Sequence, residues 1–308
     1  MEDGRTGLHV AGMLGRAGSV RELMEAGAEV GAKDKEGKTL VHWATAYGHV
    51  EVLKTVEQQC GKEALSTLML EKTDDGTTCA HNASMGGHFK VLRYVAETCG
   101  EELLREKDKD GWTCAHWASE GGHLDVLQYL EERCGKELLR EKNKDGKTCA
   151  QTASAGGHLE VVRYVAETCG EELLREKDDF DRTCAHWASA GGHLEVVRYL
   201  VDTCGEELLR EKDKDGWTCA HWASEGGHLE VVRYLEERCG EELLREKTQI
   251  SNTCAHYASM GGHLEVLQYV AEKCGEELLR ERNEDGETCL TLARTSEVED
   301  YLRGLGID

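Results

Sequence analysis

Proline is absent from all 308 residues, so no helix in the chain can start on one and every turn must be set by other means. Cations are scarce too: 37 Lys and Arg stand against 60 Asp and Glu, a net charge of −23. That balance excludes the basic patch on which DNA, RNA or an anionic membrane would dock, and it favours a basic or mixed-charge partner. No apolar run approaches the roughly 20 residues that span a bilayer, and Met1-Glu2-Asp3 lacks the basic and apolar regions of a secretory signal. A soluble chain of the cytoplasm, or of the nucleus, is expected.

What is abundant is repetition. Aligning on one threonine gives Thr6, Thr39, Thr78, Thr113, Thr148, Thr183, Thr218, Thr253 and Thr288, nine copies with steps of 33, 39 and then 35 residues. The stretch from Asp108 to Lys142 shows what one copy encodes. Asp-Gly marks a tight turn, Thr113 can cap a helix with its hydroxyl, and Ala115, His116, Trp117 and Ala118 form a short helix that Gly121-Gly122 ends. A second helix runs from His123, with Val126, Leu127, Leu130 and Cys134 at helical spacing on one side and Asp125, Gln128, Glu131 and Glu132 on the other. Gly135 stops it, and a charged connector leads to the next turn. Such a helix pair cannot hide its apolar face alone; stacking on its neighbours hides it.

The expectation is therefore an all-α solenoid of nine helix-turn-helix units with turn fingers, one array over residues 1–308. Residues 1–35 form an N-terminal repeat or cap, and residues 36–72 a second repeat whose long connector (Leu65, Leu68, Met69, Leu70) adds a short helical turn. Residues 73–282 hold six near-identical repeats, and residues 283–308 form a C-terminal cap.

Turn, Thr-x-x-His, Gly-His before the second helix and a period near 33 together resemble the ankyrin repeat, over the whole chain. Cys114 stands where that family has proline, Ala115 where it has leucine, and the connector is two residues longer. The resemblance implies that the first histidine of each unit fixes its turn and the second supports the link between helices. It also implies that partners bind through the turn tips and first helices, on the concave side.

Those are the places where the copies disagree. At the tips, repeat six reads Asp178-Asp179-Phe180-Asp181-Arg182 and repeat eight Thr248-Gln249-Ile250-Ser251-Asn252, both without the turn glycine and both with an exposed apolar residue. This is either drift among duplicates or partner contact. Before the threonine stand Trp112 and Trp217, which either pack on a neighbouring turn or serve as aromatic anchors. Along the first helices the variable stripe includes Met85, Glu120, Glu225 and Met260. Trp43, Trp117, Trp187, Trp222 and Tyr257 are expected in the core.

Fourteen cysteines follow one another, the first two 19 residues apart and the rest at alternating spacings of 20 and 15. Each connector cysteine precedes a unit that starts on one, so Cys60 with Cys79, Cys99 with Cys114 and so on to Cys274 with Cys289 are expected in contact. They form packed thiols, disulfides or a metal pair; two thiolates alone do not close a tetrahedral site. The candidates for catalysis are copies of one another, so no enzyme, cofactor or metal site is expected. The reading is a non-enzymatic, monomeric module binding a basic or mixed-charge protein or extended peptide. A metal or redox protein built on the cysteine pairs and a structural or engineered scaffold without a partner are the alternatives.

Overall fold

The computed structural model describes residues 3–307, and among them it is helical throughout, with no strand. The repeats gather into two compact units, one ending at Lys144 and the other beginning at Asp145. In the first unit, the first helices of the repeats are Gly7–Met13, Leu40–Ala46, Cys79–Met85 and Cys114–Glu120, each packed on the next. Their second helices are Ala17–Glu25, Val50–Cys60, Phe89–Cys99 and Leu124–Cys134. The second unit repeats the plan with first helices Cys149–Ala155, Cys184–Ala190, Cys219–Glu225 and Cys254–Gly261. Its second helices are Leu159–Cys169, Leu194–Cys204, Leu229–Cys239 and Leu264–Cys274.

Every first helix before repeat nine opens in the same way. Thr113 is extended at φ −97° and ψ 169°, and its hydroxyl accepts from the His116 backbone N–H at 3.4 Å while the His116 ring accepts the Thr113 N–H at 3.3 Å. Two orphan donors of the helix start are thus satisfied reciprocally. The helix ends on Gly121-Gly122. In the preceding repeat Gly87 lies at φ +67°, and a Cβ there would come within 2.4 Å of the His123 ring, so glycine is needed for conformation and for space together.

Two elements differ from expectation. The insertion in repeat two is a full helix, Lys62–Leu70, that buries Leu65, Leu68 and Met69. The later connectors, expected only as charged links, are short helices as well. Glu101–Arg105 buries Leu103 and Leu104, and Glu206–Arg210 buries Leu208 and Leu209, under the second helices. Their charged residues face water. Exposed ion pairs such as Lys72–Glu106 at 2.7 Å and Lys212–Glu246 at 2.6 Å line up from connector to connector, each worth well under about 1 kcal/mol. Repeat nine has no regular first helix, only turns over residues 289–292, and closes on the helix Ser296–Gly304, which buries Val298 and Leu302.

The turn tips are stitched along the backbone. Lys109 N–H donates to Asp75 C=O at 2.9 Å in the first unit, and Lys214 N–H to Phe180 C=O and Glu284 N–H to Ile250 C=O at 3.0 Å in the second. Repeats six and eight keep this register without the glycine. Asp181 and Ser251 adopt φ of 62° and 63°, the only non-glycine residues with positive φ among those described. The left-handed conformation costs an L-residue about 1–2 kcal/mol, and glycine returns part of that through its freer unfolded chain. Ser251→Gly should therefore raise stability by about 0.5–1 kcal/mol in urea unfolding; an unchanged midpoint would mean the tip carries no strain.

Candidate functional site

The tips and first helices form one continuous surface in each unit because an aspartate joins them. In repeat four, Asp108 Oδ1 accepts the N–H groups of Asp110 and Trp112 at 3.0 and 2.8 Å, closing the turn, while Oδ2 accepts the Trp117 indole N–H at 3.2 Å. Asp34 with Trp43, Asp178 with Trp187 and Asp213 with Trp222 do the same. At Asp34 burial works to raise the pKa, but the N–H donors of Lys38, Glu36 and Trp43 outweigh it and hold the carboxyl below its ordinary value.

These tryptophans are not the uniform core the repeat pattern suggests. Trp43 and Tyr257 are buried, at 7% and 3% exposure, whereas Trp117, Trp187 and Trp222 are half-buried. Their rings lie on the tip-facing side of the helix, where the turn covers them only in part. In the second unit Lys147 and Arg182 sit over the Trp187 ring at 3.4 and 4.2 Å, and in the first unit Arg5 and Lys38 flank Trp43 at 4.3 and 4.9 Å.

Among the tip residues, Phe180 and Ile250 each stand 47% exposed, and Asp179 and Gln249 are exposed beside them. Arg182 is held, its Nε bonded to Asp178 Oδ2 at 2.9 Å and its guanidinium over Phe180. Asn252 does not reach the surface. It is 2% exposed and its Oδ1 accepts from Asn283 Nδ2 at 3.0 Å, so its side chain braces the following turn. Trp112 and Trp217 are half-buried and pack at a tilt against Trp117 and Trp222, ring centres 4.6 Å apart, and the Trp217 ring centre also lies 3.8 Å from that of Tyr257. On the first helices Met85 and Met260 are 43% and 40% exposed, and Glu120 and Glu225 are exposed.

Three contributors escaped the sequence reading. Leu14 and Tyr47, 55% and 49% exposed, stand where later repeats have the first glycine of Gly-Gly, and Asn82 stands where four other repeats have tryptophan. Each departs from the internal consensus, which is the signal that could have found it.

The histidines hold this frame. First histidines accept at Nδ1 from their own capping threonine and donate from Nε2 to a connector carbonyl, as His42 does to Glu71 at 3.1 Å and His221 to Glu246 at 3.0 Å. Both are neutral, and burial pushes both pKa values down to about 4. The second histidines reach back one repeat: His88 Nε2 donates to Ala46 C=O at 3.0 Å and His123 to Met85 C=O at 2.9 Å. In the second unit His228 donates to Ala190 C=O and His263 to Glu225 C=O, both at 2.9 Å.

The expected contacts between one repeat's connector thiol and the next repeat's first thiol do not show in the charges that act on them. Five helix-start thiols are instead acted on by the thiol that ends the second helix of their own repeat: Cys79 by Cys99, Cys114 by Cys134, Cys184 by Cys204, Cys219 by Cys239 and Cys254 by Cys274. The two helices of one repeat converge there, while the end of each second helix turns onto the preceding connector, as Cys99 Sγ does at 3.7 Å from Met69 Sδ. All fourteen are free thiols. Burial pushes Cys79, Cys114, Cys184, Cys219 and Cys254 up to about 12, which keeps them protonated and poorly suited to nucleophilic or ligand roles at neutral pH. Among the described residues no three His, Cys, Asp or Glu side chains gather as a metal-holding group, and no helix is long and apolar enough to cross a membrane.

Helix pairs stacked repeat on repeat, with turn fingers stitched edge to edge, define a helical repeat protein. A family model described as ankyrin repeats in three copies matches residues 55–136, 104–176, 131–205 and 168–243, and one described as ankyrin repeats in many copies matches residues 8–56. The chain belongs to the ankyrin-repeat family, whose repeats are protein-protein interaction modules. No curated protein matches it.

Proposed function

We propose that this chain is a non-enzymatic interaction module that works as a monomer. It holds a protein partner, an extended segment or a surface bearing Lys and Arg, in the groove between turn tips and first helices. One observation carries the reading. Seven large apolar side chains are exposed among the described residues, and six of them lie on tips or at the ends of first helices. These are Leu14, Tyr47 and Met85 in the first unit and Phe180, Ile250 and Met260 in the second; only Leu70 lies elsewhere. Apolar anchors rimmed by Asp179, Glu120 and Glu225 suit a partner that supplies apolar side chains among cations.

The test is to pan a phage-displayed library of random peptides against the whole chain and titrate the recovered peptides by calorimetry. Peptides rich in Lys or Arg are expected, with affinity falling as salt rises. Phe180→Ala should weaken those seated on the second unit by about tenfold while leaving the unfolding midpoint in place. Recovery of no peptide, or of peptides indifferent to every tip and first-helix substitution, would sink the reading.

A further inference from the structure

Repeat three of the first unit lacks a feature its neighbours share. Where four other repeats join a turn aspartate to an indole N–H, it has Thr73 and Asn82, so both halves of the pair have changed together. The replacements do not bond to each other. The Thr73 hydroxyl is taken up by Asp75 and by Thr77 C=O, and Asn82, 4% exposed, leaves its Nδ2 without any partner. Repeat five also lacks the indole, but there the Thr152 hydroxyl is satisfied by Cys149 C=O at 2.9 Å. An unsatisfied buried amide costs roughly 1–3 kcal/mol. Other buried groups, the Ser84 hydroxyl among them, also lack a partner, but Asn82 Nδ2 belongs to a residue that lines a hollow and can take an acceptor from outside.

There is room for one. Asn82 lines two adjoining hollows of about 240 and 90 Å³. Trp43, Tyr47 and Met85 wall the larger; Trp117, Met85 and the exposed Asp75 bound the smaller. The cation at the rim, Lys38, is already engaged with Glu36 at 2.6 Å, which leaves the mouth acidic. The hollow is apolar in its walls, carries one donor at its floor and a carboxylate at its edge.

We propose that this hollow is the specificity pocket of the interaction module: it takes one apolar side chain of Leu or Met size from an extended peptide. A main-chain carbonyl of that peptide accepts from Asn82 Nδ2, and a neighbouring Lys or Arg pairs with Asp75. The assignment rests on the peptide-binding function proposed above.

The experiment uses the peptides recovered by panning the whole chain. Thr73→Asp with Asn82→Trp rebuilds the pair found in four other repeats and fills the hollow; it should fold at least as stably as the parent. Peptides carrying an apolar residue beside Lys or Arg should lose about tenfold or more in affinity for it, the contact of one buried side chain. Asn82→Ala keeps the space and removes only the donor, and should cost about three- to tenfold. If peptides bind but neither variant changes their affinity, the pocket is wrong and the broader function stands. If the peptides recovered are acidic, or if the only occupant found is a second copy of the chain, the pocket assignment is likewise overturned. Recovery of no peptide removes both.

Discussion

Acidification from pH 6.5 towards pH 4 will strip several kcal/mol from the stability of this protein, and its buried histidines will be the main cause. His42 and His221 are buried and pushed down to about 4, against about 6.5 in an unfolded chain. Between those values the unfolded state binds the proton and the folded state refuses it, so stability falls as pH falls and the loss is complete below about 4. A difference of about 2.5 units corresponds to about 3 kcal/mol for each of the two. His81, His186 and His256 are lowered by burial as well and add in the same direction. The chain contains its own control. In repeat five Gln151 makes the same bonds without a titrating group: its Oε1 accepts from Thr148 N–H at 2.8 Å and its Nε2 donates to Glu176 C=O at 3.1 Å. His42→Gln with His221→Gln should therefore match the parent at pH 7 and fall more gently below it. Urea midpoints from pH 7 to pH 4 decide the matter; parallel curves for the two proteins would clear these histidines of the effect.

Leu209→Ala will cost about 3 kcal/mol, more than Trp222→Ala, although leucine is much the smaller side chain. Leu209 is fully buried under its second helix, so its removal loses the transfer free energy and leaves a cavity as well. Trp222 is half-buried and its ring already meets water, so less is lost there. Glu207, two residues before Leu209 and exposed, should tolerate alanine within about 0.5 kcal/mol. Urea unfolding of the three variants tests the order, and a Leu209→Ala protein as stable as the Glu207→Ala protein would refute the connector's place in the core.

The same contrast marks how far the residues alone could be read. Thr-x-x-His and Gly-Gly-His are local chemistry, a cap and a stop, so the helices and their register were legible from Thr113, His116 and Gly122 without any structure. Burial in a stack depends instead on what the adjacent repeats cover. A five-residue connector such as Glu206–Arg210 is too short to display a helical period, so its two leucines were hidden behind its charges. Trp117, Trp187 and Trp222 look like core by type, but a turn that reaches across them covers only part of each ring. Co-occurrence along the chain says which cysteines change together; it does not say which thiols act on one another, and those, such as Cys114 and Cys134, belong to the two helices of one repeat. Asn82 departs from the internal consensus in the sequence itself; what the structure adds is the indole bond that links this position to the turn aspartate, so that Thr73 and Asn82 are seen to remove both halves of one pair.

The second histidines reach, from outside it, the face proposed to hold the partner. The carbonyls they grip belong to Met85 in the first unit and to Glu225 in the second, both members of the variable stripe, and to Ala190, which holds the same place in its own repeat. Each such bond fixes the distance from one stripe residue to the next, so these imidazoles act as the graduations of a ruler. Replacing one would change the spacing at which a bound chain must present its side chains while leaving every contacting atom in place.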